Sequence, residues 1–317
     1  TDADVTIDGG TTALILAAST IDGDLTVRSG NASGITDSGT LTVGGNLAAT
    51  TDANNGLINL GTLAVDGTVQ LTTNGTGNAT VVNDAGLNLA ASTVGGNFAA
   101  TATTGNIPES GALTIAGTSS STTSANNATI ALDTTTNAFT GAVTITTNDN
   151  SGTDADVTID GGTTALILAA STIDGDLTVR SGNASGITDS GTVTVGGNLA
   201  ATTDANNGLI NLGTLAVDGT VALTTNGTGN ATVVFLMVRR PPRSTLKGSS
   251  AASVAYKRQT DSGALTIAGT SSFTTSANNA TIALDTTTNA FTGAVTITTN
   301  DNSGTDADVT IDGGTTA

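Results

Sequence analysis

Gly44-Gly45-Asn46-Leu47-Ala48-Ala49-Thr50, followed by Gly56-Leu57-Ile58-Asn59-Leu60-Gly61-Thr62-Leu63-Ala64-Val65-Asp66-Gly67-Thr68-Val69, is the stretch that decides the fold. Its apolar residues come in short alternating bursts, each bounded by Gly, Asn, Asp or Thr. Alternation with period two marks a strand with one buried face. No 3.6-residue stripe persists, and Gly and Asn are too dense for a helix. The form recurs outward in both directions, as Val5-Thr6-Ile7, Leu25-Thr26-Val27, Leu41-Thr42-Val43, Leu113-Thr114-Ile115 and Val143-Thr144-Ile145. Strands are expected at 4–7, 14–16, 25–27, 41–43, 63–65, 69–71, 80–82, 113–115, 129–132 and 143–146.

Such strands build either hairpin sheets or the coils of a solenoid. Asp8-Gly9, Asp66-Gly67 and Asn74-Gly75 carry hairpin-turn chemistry, but they do not sit regularly between paired strands. The inward positions are Val, Ile, Leu and Ala with almost no aromatic anchor, which suits a narrow stacked coil. The expected class is therefore all-β, a parallel β-helix with aliphatic residues inside and Thr outside. Coils of roughly 20–25 residues are expected, each burying its apolar face against its neighbours.

Repetition supports this reading. Thr1-Asp2-Ala3-Asp4-Val5-Thr6-Ile7-Asp8-Gly9-Gly10 returns at Thr153 and again at Thr305, both at an offset of 152. The organisation is a first copy at 1–152, a second at 153–304 interrupted at 235–261, and the start of a third at 305–317. Residues 1–82 and 110–152 differ from their second copies at three positions: Leu41 against Val193, Gln70 against Ala222, and Ser121 against Phe273. A stack of nearest-neighbour units accepts such repetition. The chain begins and stops inside a repeat and reads as a section of something longer.

Composition excludes several functions. The 317 residues hold 26 acidic and 8 basic side chains, a net charge of −18, with no Cys, His or Trp. Without Cys there is no disulfide framework or thiolate metal site, and without His no Ser-His-Asp triad. An acidic chain with 2% aromatics lacks the footprint of a nucleic-acid binder. No run is long and apolar enough to span a membrane as a helix. The chain is not composed like a disordered one either, since only 11% of residues are charged.

One segment breaks the pattern. Residues 235–261 replace the text found at 83–109 and hold Arg239, Arg240, Arg243, Lys247, Lys257 and Arg258, six of the eight basic residues. One reading is a basic loop that touches anionic lipid or nucleic acid. The other is that residues 235–260 are foreign, because Met237-Val238-Arg239-Arg240-Pro241-Pro242-Arg243-Ser244-Thr245-Leu246 resembles a translated sequencing-library adapter. Pro241-Pro242 removes two ladder donors. An irregular excursion is expected at 235–260, with the ladder resuming near Ser262.

Candidate chemistry is sparse. Asp2, Asp4, Asp8, Asp22 and Asp24, with second copies Asp154, Asp156, Asp160, Asp174 and Asp176, are hard oxygen ligands beside Gly, suited in type to calcium. They lack the position-12 Glu of an EF-hand, and Asp at coil corners also serves tight turns and solubility. Paired carboxylates for glycoside hydrolysis are not evident, and Arg28 and Arg180 are the shaft's only cations. The expectation is no catalytic residue, no cofactor and no enzyme. Outward Thr rows raise ice or polysaccharide binding, although Thr72-Thr73, Thr134-Thr135-Thr136 and Thr146-Thr147 follow no strict period.

The opening phrases, with Gly95-Gly96-Asn97-Phe98-Ala99-Ala100-Thr101 and the copies from Gly196 and Gly208, resemble filamentous-haemagglutinin-like and autotransporter-type bacterial surface proteins. The resemblance covers nearly all the chain except the odd segment and is largely compositional. It implies a right-handed parallel β-helix shaft, secretion to the bacterial cell surface, and a role in adhesion toward host or environmental glycans or proteins. A calcium-stabilised surface-layer or matrix protein is the alternative, and self-association through the solenoid ends is a further expectation.

Overall fold

The computed structural model describes residues 2–52, 55–148, 155–204, 207–226, 229–235, 259–260, 266–267, 271–278, 281–291, 293–300 and 307–314. Among them all regular structure is β-strand and the strand pairings run parallel. The fold is a β-solenoid. Each of the ten expected strands is present, some displaced by a residue and some longer.

The longest sheet shows how the repeat is wound. Its register passes Ile35↔Ile58↔Ala79↔Phe98↔Ser119↔Val143↔Leu168↔Asp189. These are seven steps of 19 to 25 residues, close to the expected coil length. Asp189 is the second copy of Asp37, so seven coils carry the chain from Ile35 to a point two residues beyond its own repeat. A slip of two preserves which side chains face inward, where a slip of one would turn the core out. One 152-residue copy therefore fills seven coils, and the second copy stacks on the first without a break.

A coil has three sides, as in Leu25–Ser29, Ile35–Asp37 and Leu41–Val43, with Leu47–Thr51 starting the next. Leu25, Val27, Ile35, Leu41, Val43, Leu47 and Ala49 all point inward and are buried. Each buried Val, Leu or Ile among them contributes about 1.5–3 kcal/mol when removed from water. One apolar cluster runs from Leu16 to Phe291. Ile58–Val65 covers two sides as a single bent strand, and Gly61-Thr62 is the bend.

Thr and Ser are not confined to the outside. Ser29, Thr51 and Thr73 are buried at strand ends. There the Thr51 hydroxyl donates to Gly56 O and that of Thr73 to Gly77 O, both at 2.7 Å. Corner carbonyls turned inward must find a donor, and a short hydroxyl supplies one where an aliphatic could not. Ser119–Asn126 likewise turns Ser119, Ser121 and Thr123 inward; the Thr123 hydroxyl donates to Ala128 O at 3.2 Å, while those of Ser119 and Ser121 are buried without a partner.

Identical text is buried differently according to its neighbours. Val5 and Ile7 are only partly buried, whereas Val157 and Ile159 are 1% and 0% exposed. Val157–Asp160 lies between Ile130–Leu132 and Leu177–Ser181, while Val5–Asp8 pairs among the described residues only with Leu25–Ser29.

The second copy loses a rung beside the odd segment. In the first copy Ala79 pairs with Phe98 and Phe98 with Ser119. In the second, Ala231 pairs directly with Ser271 and Val233 with Phe273. The coil that holds Phe98 has no counterpart in this ladder, and Ala231–Phe235 closes onto Ser271–Asn278 across it. Of the excursion expected at 235–260, residues 236–258 lie outside the described residues, as does the resumption at Ser262; its two ends differ from the expectation, because Phe235 and Gln259–Thr260 are paired strand. The ladder does continue at Gln259–Thr260 and Thr266–Ile267. Phe273 stands where the first copy has Ser121, and its ring meets Phe291 edge-on, with centroids 6.1 Å apart at 81°.

No helix among the described residues is long and apolar enough to cross a membrane.

Candidate functional site

Four of the ten acidic residues singled out in sequence, Asp4, Asp24, Asp156 and Asp176, line a corner of the coils. There the Asp24 N–H donates to Asp4 Oδ1 (2.9 Å), and the Asn46 N–H to Asp24 Oδ1 (2.7 Å). Thr68 gives both its N–H and its hydroxyl to Asn46 Oδ1, each at 2.8 Å. The second copy repeats the column through Asp156, Asp176, Asn198 and Thr220. Each Asx side chain thus caps the backbone of the next coil. The motif needs Gly just before the capped residue. A Cβ on Gly23 would stand 2.3 Å from Asp4 Oδ1, and one on Gly45 2.3 Å from Asp24 Oδ1. Asn46→Ala, which removes the acceptor of both Thr68 donors, is expected to cost about 1 kcal/mol in denaturant unfolding. An unchanged midpoint would show that the column does not hold the corner.

Asp8 and Asp160 each accept the N–H two residues on, at 2.8 Å, from Gly10 and Gly162. Asp2 and Asp22 are exposed, whereas Asp174 is buried under the preceding copy and its N–H donates to Thr147 Oγ1. Asp154 lies outside the described residues. Among the described residues no three His, Cys, Asp or Glu side chains come together so as to hold a metal ion. Arg28 and Arg180 are exposed and pair across coils with Asp52 (2.8 Å) and Asp204 (3.0 Å); Arg180 also lies 3.6 Å from Asp160. The pairs with Asp52 and Asp204 are exposed on both sides and contribute little to stability, whereas Asp160 is buried.

Sequence reasoning passed over two acidic positions. Asp37 accepts the N–H groups of Gly61 (3.0 Å) and Thr62 (2.7 Å) and so clamps the bend of Ile58–Val65; Asp189 does the same for Gly213 and Thr214. The break in alternation at Gly61-Thr62 was the available sign. Glu109, the chain's one Glu, is the other. Its Oε1 accepts from the Thr134 N–H and from Asn137 Nδ2, and its buried Oε2 has no partner. Burial pushes its carboxyl above the ordinary value of 4.5, with nearby Asp133 adding to the effect and the hydrogen bonds opposing it. An acid raised in the folded state favours folding most when protonated, and that contribution is lost as pH rises through the raised value. Glu109→Gln keeps the acceptor oxygen and removes the charge. It is expected to unfold at a higher temperature than the parent at pH 7 and to match it below pH 4.5. A gain that persists unchanged at acid pH would contradict this.

The outer threonines are more regular in space than in sequence. Thr101, Thr122, Thr146, Thr172 and Thr194 occupy one position on five successive coils. Their unequal spacing in sequence follows from unequal corner lengths, so the lack of a strict period there did not mean a lack of order.

No curated protein and no solved structure matches the chain. The family of repeats of unknown function (DUF5649) matches residues 2–60, 76–146 and 243–298, more than half of its length. The chain belongs to this family of DUF5649 repeats.

Proposed function

We propose that the chain is a section of the shaft of a large secreted bacterial surface protein, one that carries a distal adhesive region away from the cell. The observation that supports this is the seamless junction of the two copies, in which Ile130–Leu132 pairs with Val157–Asp160. Length then grows by seven coils per copy, about 34 Å at the usual 4.8 Å between strands. The acidic exterior keeps neighbouring rods apart. The role is mechanical, and receptor contact with glycans or proteins belongs to other parts of the molecule. Chains with one, two and four copies of residues 1–152 are to be compared by small-angle scattering. The account expects the maximum dimension to rise by about 34 Å per copy at a constant cross-section. A dimension that stays constant would remove the shaft reading. Antibody labelling of intact source cells is expected at the outer surface, and purely cytosolic signal would contradict export.

A second reading draws on the threonine column, which sets hydroxyls and methyls about 4.8 Å apart along a rod. Such an array suits the ordering of water at an ice surface. Thermal hysteresis that is lost in Thr146→Lys would favour it, and absence of hysteresis in the parent chain would end it.

A further inference from the structure

We infer that the corner after Asn83 is a guest site: one whole coil can leave the stack there, and an unrelated run of polypeptide can take its place outside the rod, while the solenoid stays continuous. Two sides of the second copy carry this inference. In the first copy one side runs Ala79↔Phe98↔Ser119 and another runs Thr72↔Thr93↔Thr114. In the second copy the same sides run Ala231↔Ser271 and Thr224↔Thr266. Both pass over one turn of chain, the turn that holds Thr93 and Phe98. Neither closure uses residues 236–258, which stand in the place of 84–106.

The closed ladder keeps its faces. Ala231, Val233, Ser271 and Phe273 are all buried, so inward residues meet inward residues across the closure. A slip of one residue would turn one set to solvent. The next sides are entered in their usual register. Gln259–Thr260 pairs with Ile282–Leu284 as Ile107–Pro108 pairs with Ile130–Leu132, and Thr266–Ile267 holds Ala290–Phe291 as Leu113–Ile115 holds Ala138–Phe139. A stack of nearest-neighbour coils asks only that each coil find a matching one beside it. A guest that leaves and returns at one corner adds little closure cost, because that cost grows only with the logarithm of loop length.

The core sets the condition. The turn passed over carries the buried ring of Phe98, and the coil above it carries that of Phe139. In the second copy Ser250 stands at the place of Phe98, yet two buried rings remain, Phe273 and Phe291, in edge-on contact. One aromatic has moved from the lost coil to the position of Ser121. The two arrangements are alternatives: coil present with serine, or coil absent with phenylalanine.

The test uses the full chain, which has no Cys of its own. Residues 84–106 are replaced by an equally long run of Gly and Ser, alone and with Ser121→Phe. Spin labels at Thr26→Cys and Thr178→Cys, on either side of the exchange, are expected to move closer by one strand spacing, about 4.8 Å, and to keep a narrow distribution. Ser121→Phe is expected to raise the melting temperature of the guest-bearing chain and to lower that of the parent, the coupling expected when ring and coil exchange for one another. The reverse exchange needs no guest. Replacing residues 235–261 by the text of 83–109 restores the coil, and Phe273→Ser is then expected to raise the melting temperature, whereas in the parent it lowers it. An unchanged or broadened label distance overturns the inference. So does the same sign of Ser121→Phe, or of Phe273→Ser, with and without the coil.

Discussion

Alanine at Ile159 is expected to cost about 2–5 kcal/mol of stability, whereas the same change at Ile7 costs less than about 1 kcal/mol. The two residues occupy the same place in identical text, Val-Thr-Ile-Asp, and differ only in what lies against them. Ile159 is enclosed by Leu132 on one side and Val179 on the other. Removing three carbons there loses transfer energy and leaves a cavity that the fixed ladders cannot collapse. Among the described residues Ile7 has a strand partner on one side alone, Val27, and it is only partly buried against the core. Denaturant unfolding of the two variants, with hydrogen exchange to localise the weakened coils, checks the difference. Equal costs would mean that the copies fold as independent units.

Phe273→Ser, which restores the residue of the first copy, is expected to cost about 3–5 kcal/mol, concentrated in the coils around Ala231 and Ser271. In the first copy the ring of Phe98 lies one rung below Ser119 and Ala100 lies below Ser121. With that coil absent from the second copy's ladder, Val233 comes directly against position 273. A serine there would leave its hydroxyl buried, as the Ser121 hydroxyl already is without a partner, and would take away the edge-on contact with Phe291. The reverse change, Ser121→Phe, meets an intact coil below it and is expected to overpack by about 1–3 kcal/mol. A neutral Phe273→Ser would show that the shortened ladder does not rely on the ring.

Much of the fold was legible in the sequence because the dominant signal is local. Val5-Thr6-Ile7 or Leu25-Thr26-Val27 names its own inward face, and stacked coils need no long-range partner beyond the next similar phrase. Ser119–Asn126 escaped because its inward residues are Ser and Thr, which the alternation rule assigns to solvent. The threonine column escaped because corners of different lengths convert regular spatial steps into irregular sequence steps. The acidic residues were recognised as a set, but their work could not be read from spacing. Asp4, Asp24 and Asp176 act on the backbone of the adjacent coil, some twenty residues away, and that neighbour is defined only once the register is known. The same holds for Asp37, whose partners Gly61 and Thr62 lie in the next coil. The closing of the ladder between Ala231 and Ser271 was hidden for a further reason: a text replacement shows where the copies differ, not how the flanking strands rejoin.

The first 152-residue copy winds seven coils, and the second copy continues the same stack. Spin labels at Thr26→Cys and Thr178→Cys, equivalent outward positions in a chain without cysteine, measure this directly. Pulsed dipolar spectroscopy is expected to give a narrow distribution near 35 Å, from seven strand spacings of about 4.8 Å and a two-residue slip along the strand. A broad distribution, or one centred well away from that distance, would contradict the continuous solenoid.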